Sequence, residues 1–194
     1  MTSTTPSTGS SSAPTSTSTG TAPNSGERED LLAALRAARH FLRYTAQNLT
    51  DEQAAQRTTV SALSVGGLIK HVTEVERGWA RFITDGPAGI AGEKDFSEWT
   101  EEDFAEREKG FAMQPGETLQ GLLDAYEEVA RNTDELLLSL PSLDARQPLP
   151  KAPWHAEESQ SARRTFVHIV AETSHHAGHA DIIRESLDGQ KTMG

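Results

Sequence analysis

Four stretches of this chain place apolar residues at intervals of three and four, and that spacing is the strongest limit on its fold. Leu31, Leu35, Ala38, Leu42 and Ala46 form the first stripe, within residues 30–48. Leu68, Val72, Val75, Trp79 and Phe82 form the second, within 65–84. The third, within 117–139, holds Leu119, Leu122, Leu123, Tyr126, Val129, Ala130, Leu136 and Leu137. The fourth, within 161–187, holds Phe166, Ile169, Val170, Ile182, Ile183 and Leu187. This period lays one face of a helix against a core. No stretch alternates with period two beyond a few residues. The expected fold class is therefore all-α: a four-helix bundle with crossover connections, because segments 88–116 and 144–160 are long for simple hairpins.

Local signals mark the boundaries. Glu27, Glu29 and Asp30 crowd the start of the first helix, where the helix dipole favours anions. Thr50, Ser64 and Thr100 read as N-caps, the last opening a short helix inside 88–116. Gly66 and Gly67 each weaken their turn by about 1 kcal/mol relative to Ala, but admit another helix at close range. Asp85-Gly86-Pro87, Pro141 and Asp188-Gly189 are stops. Phe96, Trp99, Phe104 and Phe111 in the first long connection, and Trp154 in the second, suggest segments packed over something.

Residues 1–26 contain 16 Ser/Thr, three Pro and three Gly, and no charged side chain. Such a stretch cannot repay the entropy of ordering, so a disordered leader is expected before a domain at 27–194. It lacks the basic and apolar regions of a secretory signal, which points to the cytoplasm. The net charge of -11 repels phosphate backbones, so nucleic acid is not an expected partner. No apolar run approaches the length of a membrane span. With no cysteine, the chain has neither a disulfide framework nor a thiol nucleophile of its own.

Seven histidines remain as the main ligand-capable resource. His71 falls within the second apolar stripe. Glu172, His176 and His179 fall at i, i+4 and i+7 of the last helix, in line with Ile169 and Ile183. Buried polar groups of this kind need partners. One answer is a metal with an open position, held by Glu172, His176 and His71. Others stay open on spacing alone: a core histidine satisfied by a carbonyl, an internal Glu172–His176 pair, or the rival registers His175/His179 and His168/Glu172. Glu74 and Glu76 read as solvated, Asp181 and Arg184 as a surface pair, Trp79 as core, and Gly178 as a close helix crossing.

The stretch ETSHHAGHADIIRE (172–185) resembles the last-helix signature of the DinB-like superfamily, in the branch of mini-circle proteins and mycothiol-dependent enzymes. SVGGLIKHVTEVERGW (64–79) is similar to that family's second helix. The resemblance spans about residues 28–188. It implies a divalent metal held by His71, Glu172 and His176, with zinc foremost and nickel, manganese or iron also suited. Glu172 stands where many members have His, as in the mycothiol-dependent maleylpyruvate isomerase type. The resemblance further implies a low-molecular-weight thiol and a small-molecule electrophile as partners, with S-transfer or isomerisation as the reaction. His179 is the candidate catalytic residue, placed to orient a ligand or take a proton. A non-catalytic metal-binding or stress-related protein, a metal-dependent hydrolase and a metal-free interaction module are the alternatives. Bundles of this size often form a homodimer.

Overall fold

The computed structural model describes residues 1–2, 25–91, 98–150 and 157–193. The leader proper, Phe96 and Trp154 lie outside these. The described residues are mostly helical, in the order α1 (Ser25–Thr45), α2 (Asp51–Ala55), α3 (Val65–Asp85), α4 (Ala88–Ala91), α5 (Glu101–Lys109), α6 (Leu119–Ser139), β1 (Arg146–Pro148), β2 (Ser159–Ser161) and α7 (Ala162–Asp188). Helix starts follow their caps. Ser64, Thr118 and Ser161 accept from the backbone N–H three residues on, and Thr50 and Thr100 form capping boxes with Gln53 and Asp103.

Tertiary contacts move two boundaries from their expected places. Helix α1 begins five residues before Asp30, where Arg28 donates to the carbonyls of Leu137 and Leu140 at the end of α6 and Glu27 pairs with Arg163 of α7. It ends at Thr45 rather than Asn48, because the buried Arg184 donates to Thr45 O and Gln47 O, both at 2.8 Å, and Asn48 turns left-handed at φ 61°. Arg184 also pairs with Asp188, while Asp181 accepts from the backbone of Thr192, so the expected Asp181–Arg184 surface pair gives way to these bonds. In the second connection, β1 and β2 pair antiparallel with Gln147 opposite Gln160. Three residues a strand are too few to show alternation, which is why this ribbon escapes a reading by period. Gln147 Nε2 donates to Ile83 O and ties it to the end of α3.

Helix α1 packs on α7 and α6, and α3 on α7 and α6. Their shared core falls into two apolar clusters. One gathers Leu42, Leu68, Ile69, Val72, Tyr126, Ala177 and Ile183. The other gathers Leu35, Ile83, Leu137, Phe166 and Ile169. Along every long helix, a buried polar residue falls between the members of the two clusters: Arg39, Glu76, Thr133 and Thr173. Arg39 and Glu76 meet side on, with Nη2–Oε1 at 2.5 Å and Nε–Oε2 at 3.2 Å, and Arg39 Nη1 reaches Asp134 Oδ1 at 2.7 Å. Glu76, expected to be solvated, is wholly buried. It lies one turn from Val72 on the same face, so the turn that buries Val72 buries it as well.

The two glycines at the start of α3 admit a loop, not a helix. A Cβ on Gly67 would stand 2.1 Å from the carbonyl oxygen of Phe111, and one on Gly66 2.3 Å from the sulfur of Met113. Gly178, by contrast, has open space where its Cβ would be among the described residues, so none of the described helices crosses closely there. The two positions should therefore respond to alanine with opposite signs. We expect Gly67→Ala to lower stability by roughly 1–3 kcal/mol through the backbone clash, and Gly178→Ala to raise it by up to about 1 kcal/mol through helix propensity. Urea unfolding of both variants checks this; equal effects would remove the clash as the cause.

Candidate functional site

Helices α3 and α7 bury one face each, and the candidate residues run along the margin of those faces. On α7 the buried stripe is Phe166, Ile169, Thr173, Ala177, Ala180 and Ile183. Glu172, His176 and His179 flank it and are only partly covered. On α3, His71, Val75 and Trp79 similarly flank the buried Leu68, Val72 and Glu76. The helix pairing sets the two margins against each other.

His71 and His176 meet there, with ring centroids 4.8 Å apart and planes at 86°. Glu172 lies one turn back from His176, its Oε2 3.6 Å from His176 Nε2 and its Oε1 3.8 Å from His168 Nε2. His168 in turn stands edge-on to Trp79 at 4.5 Å. The three residues expected from spacing are thus neighbours, and the rival His168/Glu172 pairing coexists with them because one carboxylate faces both turns. Trp79 does two things, packing against the second apolar cluster and walling the His168 end. His175 is exposed, its ring 5.5 Å from that of His176. His179 is one turn further along α7 than His176.

Partial burial chiefly, with the nearby His176 and the Arg107 guanidinium, pushes His71 down to about 4, against the opposing pull of Glu172. Its imidazole is neutral at pH 7, with lone pairs to offer. Glu172 is held below the usual carboxylate range, first by His176, and so is ionised. Burial, then His176 and His175, lowers His179 as well. Nδ1 of His176 is buried without a hydrogen-bond partner among the described residues. Buried polar atoms are rarely left so. A neutral imidazole at His71, a second imidazole with an orphaned nitrogen at His176 and an ionised carboxylate are donor types suited to a borderline divalent cation. Among the described residues, however, no group of three or more His, Asp or Glu side chains is arranged so that it could hold a metal ion.

The segment after α5 roofs the site. Phe111 stacks on His71 at 4.2 Å, and Lys70 fixes the same segment through Ala112 O and Glu117. Arg107 lies over the rings of both Phe111 and Trp99. Reasoning from sequence missed Phe111 and Arg107 as site residues; the available signal was the density of aromatics in a connection. A separate cleft of about 740 Å³ lies between the end of α1, α2 and the start of α6, lined by Arg43, Asn48, Asp51, Leu119, Leu123 and Glu127.

The family model described as Mycothiol-S-transferase matches residues 30–189. The chain belongs to the mycothiol S-transferase family. The match spans all four long helices and includes His71, Trp79, Arg107, Phe111, Glu172, His176 and His179. Membership agrees with the resemblance to the mycothiol-dependent branch of DinB-like proteins. No curated protein matches the chain. No helix among the described residues is long and apolar enough to cross a membrane.

Proposed function

We propose that this protein is a metal-dependent enzyme built on a DinB-like four-helix bundle of α1, α3, α6 and α7, which transfers a low-molecular-weight thiol of the mycothiol type to a small electrophile. The observation that carries the reading is the meeting of His71 from α3 with Glu172 and His176 from α7, in a chain of the mycothiol S-transferase family. These three side chains would hold the ion, with zinc foremost and nickel, manganese or iron also suited to mixed His/Glu ligation. When bound, the ion supplies a lowered thiol pKa, so that thiolate is present at neutral pH.

The chain has no cysteine, so the sulfur must come from the cosubstrate. His71 and Glu172 hold their charge states, neutral and anionic, ready for a cation. Phe111 packs on His71 at one end of the site and Trp79 on His168 at the other. His179, on the flank shared with His176, is assigned the thiol proton. In the transfer, sulfur bonds to the electrophilic carbon and the leaving group departs with its electron pair. The proposed setting is the cytoplasm, where small thiols are kept reduced.

The test is conjugation of monochlorobimane with a panel of thiols, with and without chelator. A sugar-linked thiol is expected to be conjugated, and chelation to abolish the rate while the helical circular dichroism survives. Unchanged turnover after complete metal removal refutes the mechanism. Absence of turnover with every thiol moves the reading to a metal-binding protein without catalysis, and release of hydrolysis products from ester or amide substrates to a hydrolase.

A further inference from the structure

We propose that Arg107 is an anion-recognition residue at the mouth of this site, and that the electrophile accepted there carries a carboxylate. The second half rests on the transferase reading above; the first does not. Arg107 is exposed, and its guanidinium carbon lies 5.6 Å from the ring centroid of Phe111 and 5.9 Å from that of Trp99. Phe111 stacks directly on His71 at 4.2 Å. Aromatic faces hold a guanidinium by its plane and leave the N–H donors along its edge free. A carboxylate can take two of those donors side by side.

The acids of α5 do not take them. Asp103, one turn back on the helix, accepts from the backbone N–H and hydroxyl of Thr100. Glu106 is 2.6 Å from Lys109 Nζ. Among the described residues, no carboxylate lies within ion-pair distance of Arg107, although the helix around it is rich in Glu. Lys70, which donates to Ala112 O, is already paired with Glu117 at 2.7 Å. A protein of net charge -11 repels anions at long range, so an anionic substrate needs a local cation to be retained. Arg107 is such a cation, beside the Phe111 ring that stacks on His71.

The test is an NMR titration of the full-length protein with succinate and, separately, dimethyl succinate. Neither ligand reacts with thiols, so the result does not depend on turnover. Wild-type protein is expected to bind succinate saturably, R107Q to bind it about tenfold or more weakly, and R107K to recover only part of the loss, since lysine lacks the planar fork. Binding of the neutral diester should be the same in all three. Equal succinate affinity in wild type and R107Q, or no saturable succinate binding by wild type, overturns the proposal. An Arg107-dependent succinate site in a protein that conjugates no electrophile would leave the anion site standing and remove the transferase reading; thiol transfer with succinate binding indifferent to Arg107 would do the reverse.

Discussion

Protein purified without chelator is expected to carry about one divalent ion per chain, and H71A, E172A and H176A each to lose most of it. Each replacement removes one of three proposed donors from a site with an open position. The loss in affinity should exceed the roughly 10–100-fold that outer-shell substitutions cost. H175A is the matched control, since His175 is exposed and belongs to the competing His175/His179 register. Elemental analysis per chain, after dialysis against a metal-buffered solution, reads all four variants. Full metal content in H176A would overturn the ligand assignment, and loss in H175A would shift it to the His175/His179 register, three residues along.

Breaking the buried ion pair between α1 and α3 should have the other large effect. R39M leaves Glu76 charged and without its partner inside the core, and is expected to cost roughly 3–5 kcal/mol. For a chain of this size that is a fall in thermal midpoint on the order of 10 °C. The double variant R39M/E76L removes both charges together and should cost less than R39M alone, because the desolvation penalty disappears with the charges. Chemical denaturation of the single and double variants closes the cycle. A double variant that loses the sum of two large single effects would show no coupling between Arg39 and Glu76 and would overturn this account of the pair.

The helices were legible because a helix must repeat its apolar residues every three to four positions to reach a core. Leu68, Val72 and Phe82, or Phe166, Ile169 and Ile183, carry that message without any knowledge of what they pack on. The caps were legible for the same local reason: a hydroxyl at Ser64, Thr100 or Thr50 satisfies an N–H only three residues away. His71, Glu172 and His176 stood out because they fall in or beside apolar stripes.

What distance along the chain separates, only the tertiary structure could join. Glu76 and Arg39 are 37 residues apart; helical period places Glu76, unlike the exposed Glu74, one turn from Val72, but only the partner on α1 lets a carboxylate be buried there. The first turn of α1 is held by residues more than a hundred positions away, through Arg28 and Glu27, so its true start is invisible to helix propensity. The roof over His71 rests on Gly67, which lets the Phe111 carbonyl approach within a distance that no side chain tolerates. By itself the sequence determined which faces would be buried and which residue types could act as ligands, because both follow from period and chemistry. The fold alone decided that α3 and α7 turn their margins toward each other, since helix pairing depends on packing summed over the whole core rather than on any local stretch.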